Sequence, residues 1–91
     1  MNGEVQQKDG QFFIEAAGRK AVLDYVIDGD RMDIFHTFTA EELRGLNLAE
    51  KLTQAAFEFA KKNNLKVVPT CPYVKDTFLK KHKEFDKMIE H

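Results

Sequence analysis

Asp33-Ile34-Phe35-His36-Thr37-Phe38-Thr39-Ala40-Glu41-Glu42-Leu43-Arg44-Gly45-Leu46-Asn47-Leu48-Ala49 opens with residues that favour a strand and closes with residues that start a helix. The junction between the two is Arg44-Gly45-Leu46-Asn47-Leu48-Ala49. A strand that feeds a small-residue loop into a helix start is a ready seat for an anion. The unpaired N–H groups of the first helical turn and the positive end of the helix dipole converge on one place. Glycine lets the loop backbone come close to a ligand, and arginine pairs with phosphate oxygens. The junction therefore reads as a grip for the pyrophosphate of a nucleotide-like cofactor. A purely structural account needs only Asn47 as a helix cap, with Glu50 completing an Asn-x-x-Glu box. That account leaves Arg44 and Gly45 without a role. Glu50 weighs against the anion seat, because a carboxylate in the first turn repels phosphate unless it points outward.

Upstream of the junction the pattern is that of a meander. Residues 11–16 read as a first strand, closed by Gly18, and residues 19–27 as a second with Ala21, Leu23, Tyr25 and Ile27 on one face. Asp28-Gly29-Asp30 marks a tight hairpin, and residues 31–39 return with Met32, Ile34, His36 and Phe38 on the matching face. Charge chooses the register. A loop of Asp28-Gly29 would set Asp24 opposite Asp33, which is unfavourable. A Gly29-Asp30 loop, with glycine first, pairs Asp28 with Arg31, Tyr25 with Ile34 and Leu23 with His36. Residues 1–10 are polar and read as a flexible N-terminus, leaving residues 11–91 as a single domain.

Downstream, Thr39-Ala40-Glu41-Glu42 has the form of a capping box for one helical turn. The main helix is expected over residues 48–63, with Leu48, Leu52, Ala55, Ala56, Phe59 and Ala60 inward. Lys66-Val67-Val68 is a short strand whose ladder Pro69 stops. Pro72 suits the first turn of a second helix carrying Val74 and Phe78 inward, and Phe85, Met88 and Ile89 make a last apolar turn. The expected fold is α/β: a mostly antiparallel sheet of about four strands with two main helices. Its third and fourth strands run parallel, joined by a right-handed crossover through the main helix. Pro69 lets those two strands splay.

Composition bounds the function. Fourteen basic against fifteen acidic residues give no broad field for nucleic acid or an anionic membrane. No apolar run reaches a membrane span, and the first residues lack the regions of a signal peptide, so a cytoplasmic protein is expected. One cysteine forms no internal disulfide, and eight phenylalanines without tryptophan predict a core built on Phe packing. His36, Cys71 and His82 are too scattered for a metal site, and none is expected. Cys71 stands at a helix start, which favours thiolate; its structural alternative is a small buried apolar residue. His36 changes charge near neutral pH, or else is a core histidine with a backbone partner. The Lys-Lys-His-Lys run at 80–83 reads as a solvated helix face, or as an approach to a cofactor phosphate.

Three patches in order, His36-Thr37, Glu42-Leu43-Arg44-Gly45 and Cys71-Pro72-Tyr73-Val74, resemble the short single-domain branch of the GCN5-related N-acetyltransferases. The family's acetyl-CoA loop reads Arg/Gln-x-x-Gly-x-Gly/Ala. Arg44 and Ala49 match it, and Asn47 replaces the inner glycine. The helices that normally precede the family's hairpin have no counterpart here. The resemblance implies acetyl-CoA as cosubstrate, with its pantetheine arm on the backbone of Phe35, Thr37, Phe38 and Thr39. Its pyrophosphate would then sit on Arg44, Gly45, Leu46, Asn47, Leu48 and Ala49. It further implies transfer of an acetyl group to a primary amine, with His36, Cys71 and Tyr73 as catalytic candidates and Tyr73 as proton donor to the departing thiolate. Direct attack by the amine is expected, with a route through acetylated Cys71 as the alternative. Family members often carry an acid at the position Phe38 holds here, so no general base is assigned on that strand. The rival readings are a non-catalytic acyl-CoA-binding protein and an interaction module without cofactor. The expected partner is a small-molecule or peptide amine, with the chain a monomer or weak homodimer.

Overall fold

The structure of the chain, a computed structural model, describes residues 4–90. Five strands form one sheet in chain order: β1 (Gln6–Lys8), β2 (Gln11–Ala16), β3 (Arg19–Asp28), β4 (Arg31–Thr39) and β5 (Lys66–Pro69). The first four are joined as antiparallel hairpins, and β5 lies parallel to β4. A parallel neighbour requires a crossover, which α1 (Leu48–Lys62) supplies. A second helical run covers residues 72–81, π-type over Val74–Phe78 and α-type over Leu79–Lys81. Short 3-10 turns occupy Glu41–Leu43 and Lys83–Met88. The architecture is the expected α/β one, with a fifth strand.

The added strand is β1, which corrects the reading of residues 1–10 as a flexible terminus; residues 1–3 lie outside those described. Gln6, Gln7 and Lys8 pair with Phe13, Phe12 and Gln11. All three are exposed, so this edge strand needs no apolar alternation. The turn that makes it possible is Asp9-Gly10, where Gly10 takes φ 79° and its carbonyl accepts from the Tyr25 N–H at 3.0 Å.

The β3–β4 hairpin follows the charge argument for four pairs, Asp28 with Arg31, Ile27 with Met32, Val26 with Asp33 and Tyr25 with Ile34. Gly29 takes φ 65° while Asp30 keeps a negative φ, as a glycine-first turn requires. Then the register shifts. Asp24 pairs with His36 and Leu23 with Thr37, so Phe35 is an extra residue in β4. This overturns the expected Leu23–His36 pair. A bulge of one residue inverts the alternation beyond it. Met32 and Ile34 are 0% exposed, whereas Phe38 is 50% exposed and belongs, with His36, to the opposite face.

Only one face of the sheet is layered. Ile14, Leu23, Tyr25, Met32, Ile34 and Val67 share a continuous core with α1 and the 72–81 run. Phe57 packs against Phe78 and Phe85, at centroid distances of 5.4 and 4.9 Å. The expected inward face of α1 was turned slightly wrong: Thr53 and Phe57 are fully buried, while Ala55 and Phe59 pack at the core's edge. Thr53 is tolerated inside because its hydroxyl donates to the Ala49 carbonyl at 2.7 Å. Burying Phe57 is worth about 2–3 kcal/mol, which outweighs the modest cost of a satisfied threonine. The Thr39 capping box does not form. Thr39 ends β4, and Ala40 precedes the 3-10 turn with no side-chain bond.

Candidate functional site

The junction after β4 is pinned from below by Leu43, 4% exposed, which the 3-10 turn drops into the core. Arg44 then lies outside, its Nε donating to the Thr39 carbonyl at 3.3 Å. Gly45 at φ 92° and Asn47 at φ 59° both take a positive φ as the loop enters α1. Asn47 holds the cap position, yet its side chain makes no capping bond. The Asn-x-x-Glu box is therefore not made. The N–H groups of the first turn, which a helix cannot satisfy by itself, thus receive no bond from the Asn47 side chain.

A cavity of about 220 Å³ opens at this place, lined on one side by Thr39, Arg44, Gly45, Asn47, Leu48 and Ala49. Tyr73, Thr77 and Lys81 form the facing wall at intervals of four along the second helical run. Two cations, a glycine bend and helix donors around one hollow suit a pyrophosphate-sized anion, while the Glu50 carboxylate in the same lining opposes it. Larger hollows, of about 660 and 500 Å³, lie beside Gln7 and Tyr25 and beside Pro69 and Asp86, and contain none of these residues.

Tyr73 is the titratable group whose environment stands out. Burial raises its phenol above the ordinary 10.0, with the Glu50 carboxylate and then Cys71 adding to the effect. It remains a protonated donor at neutral pH. Cys71, 5% exposed, is held where the chain leaves β5: its N–H donates to the Ile34 carbonyl at 2.9 Å, and its Sγ lies 3.4 Å from Thr37 Oγ1. Ile34–Pro69 is the last β4–β5 pair, while β4 continues to Thr39. Among the described residues no strand pairs with residues 35–39 on that side.

The fold brings most of the expected residues to one seam and separates others from it. The loop, Thr39 and Tyr73 line the cavity, and Thr37 and Cys71 touch each other at the end of β5. His36 does not join them. Contrary to the expected apolar-face position, it is on the open face, its Nδ1 3.1 Å from Asp24 Oδ2. Phe35, Phe38 and Leu46 are 48%, 50% and 59% exposed, and none of the three lines the cavity. Lys81 belongs to the 80–83 run read as a solvated face or as an approach to a cofactor phosphate, and it lines the cavity; the sequence reading missed Thr77, another lining residue. It also overlooked Asp24 and the Glu50–His82 contact of 2.6 Å, which no local pattern signals. Among the described residues no cluster of His, Cys, Asp and Glu could hold a metal. No described helix is long and apolar enough to cross a membrane.

The sequence model of the GCN5-related N-acetyl-transferase family matches residues 11–88. The chain belongs to that family. It is 36% identical to Protein NATD1 of Danio rerio over 93 residues, covering 97% of this chain and 84% of that protein. The solution structure of a GCN5-like protein from Staphylococcus aureus superposes with a TM-score of 0.76 at 29% identity. That match covers 98% of this chain and 89% of the other. Acyl-CoA binding is the general property of GCN5-related N-acetyltransferases, and the uncapped α1 start with Arg44 and Lys81 is chemically suited to it.

Proposed function

We propose that the chain transfers an acetyl group from acetyl-CoA to a primary amine. The observation that carries the reading is the cavity in which the Arg44–Ala49 loop, Lys81 and Tyr73 meet at the uncapped start of α1. Arg44, Lys81 and the first-turn N–H groups hold the pyrophosphate, and the free edge of residues 35–39 hydrogen-bonds the pantetheine arm. Acetyl-CoA brings an activated thioester. The chain's own task is to position it and to stabilise the charge that develops as an amine attacks. Tyr73, kept as a phenol by burial, holds the proton that the departing thiolate takes.

Acetyl-CoA at about 100 times its Kd should stabilise the fold by roughly 2.7 kcal/mol. For a domain of this size that raises the melting temperature by about ten degrees or more. No shift at millimolar acetyl-CoA removes the reading. The departures at Phe38 and Asn47 favour a second one, an acyl-CoA-binding protein without turnover. A thermal shift with no acetylation across a panel of primary amines would select it.

A further inference from the structure

We propose that His82 is a positioning residue for the anion seat: by holding the Glu50 carboxylate, it keeps the first turn of α1 open to phosphate. The proposal rests on the acyl-CoA reading above. Glu50 is the third residue of α1 and lines the cavity with Arg44 and Lys81. A carboxylate there is favourable to the helix alone, but it competes with a phosphate for the same donors and repels it. In this fold Glu50 Oε2 is 2.6 Å from His82 Nε2. A carboxylate only accepts, so Nε2 carries the hydrogen.

The ring of His82 is itself fixed. It stacks on Phe78 with centroids 4.3 Å apart and planes 21° from parallel, and its side chain is 19% exposed. Its backbone N–H donates to the Phe78 carbonyl at 3.0 Å. Phe78 in turn is packed on Phe57 and Phe85, so the tether ends in the aromatic core. The other ring nitrogen, Nδ1, faces the exposed Glu84 carboxylate at 3.7 Å. Glu50 is therefore tied to the C-terminal segment, 32 residues away in sequence.

The test is calorimetric titration of the full chain with two probes, CoA and inorganic pyrophosphate. His82→Phe keeps a ring to stack on Phe78 and removes the donor; it is expected to weaken both probes about tenfold, the scale of one uncompensated charge near the seat. Adding Glu50→Gln to that variant should restore affinity to within about twofold of wild type, and Glu50→Gln alone should bind no worse than wild type. His82→Gln, which retains an N–H donor at similar reach, should stay within about threefold and stands in if His82→Phe does not fold. The proposal is overturned if the folded His82→Phe chain binds like wild type, or if Glu50→Gln fails to restore it, since His82 would then act through packing alone. It is equally overturned if Glu50→Gln alone loses tenfold. If His82→Phe does not fold, a tenfold loss in His82→Gln overturns it. Wild-type binding of pyrophosphate without CoA would end the acyl-CoA reading and leave this one standing; binding of neither ends both.

Discussion

Asp24 and His36 face each other across β3 and β4, Oδ2 to Nδ1 at 3.1 Å, because Phe35 is an extra residue in β4. Without that bulge the imidazole would sit opposite Leu23 and point into the core. Asp24 is held from the other side as well, accepting from Gln11 Nε2 at 2.8 Å. A carboxylate from β3 thus stands beside the histidine although β4 carries Phe38 where relatives often have an acid. The pair stands apart from the seam of Thr37, Cys71 and Tyr73, so its expected role is to orient an amine arriving over the open face. His36→Gln should lower kcat by about tenfold, less than the loss of a general base would cause. Asp24→Asn should lower it less, and neither should change the Kd for CoA. Steady-state kinetics with parallel titrations checks this; a weakened CoA affinity in either variant would contradict it.

Cys71 is buried and touches Thr37, a setting that suits packing better than attack. Cys71→Ala is expected to keep turnover within about tenfold of wild type and to lose about 1 kcal/mol of stability. Intact mass after incubation with acetyl-CoA alone should reveal no acetylated protein. An accumulating acetyl-enzyme with a dead alanine variant would make Cys71 the nucleophile.

Tyr73 gives a pH prediction with a definite sign. Its folded value lies above the unfolded 10.0, chiefly through burial. The stability it contributes is fully present below pH 10.0 and is lost as pH rises through the folded value. Tyr73→Phe should therefore lose less stability than wild type over that alkaline range. In near-ultraviolet titration the same variant should lose the tyrosinate step that lies above pH 10.0. Glu50→Gln should move that step downward, because it removes the second cause of the shift.

Asn47 combines a left-handed backbone with an unused side chain, φ 59° and ψ 32° with no capping bond. Asn47→Gly should raise apo stability by about 0.5 kcal/mol, since glycine adopts this region freely, and Asn47→Ala should lower it by about 1 kcal/mol. Thermal melts of the apo variants separate the two by several degrees. CoA should bind the glycine variant at least as tightly. Weaker binding would assign the asparagine amide a contact with the ligand.

The parts of the fold that were legible carry repeated or local signals. Asp28-Gly29-Asp30 fixes a turn by its own chemistry, and the apolar spacing of α1 repeats over four turns. Phe35 left no such mark, because the bulged residue is as good a strand former as its neighbours and nothing periodic announces an insertion. The edge strand β1 was equally silent: Gln6, Gln7 and Lys8 are all exposed polar residues and have no alternation to show. At the site, Arg44 and Gly45 were readable as a loop chemistry. The wall made by Tyr73, Thr77 and Lys81 was readable only in part, since its spacing gains meaning once a cavity is known to face it. Glu50 and His82 meet through tertiary packing alone.

The crossover through α1 has a consequence for how the molecule comes together. The four antiparallel strands close through two-residue turns, so their contacts cost little chain entropy. Arg31 meets Lys66 only after the whole crossover has been threaded. Local pairings are expected to form first and the parallel one last. The hollow at the start of α1 has one wall from each of these halves. A ligand in that seam recognises only the completed fold, and so its stabilisation should appear as slower unfolding with little change in the rate of folding.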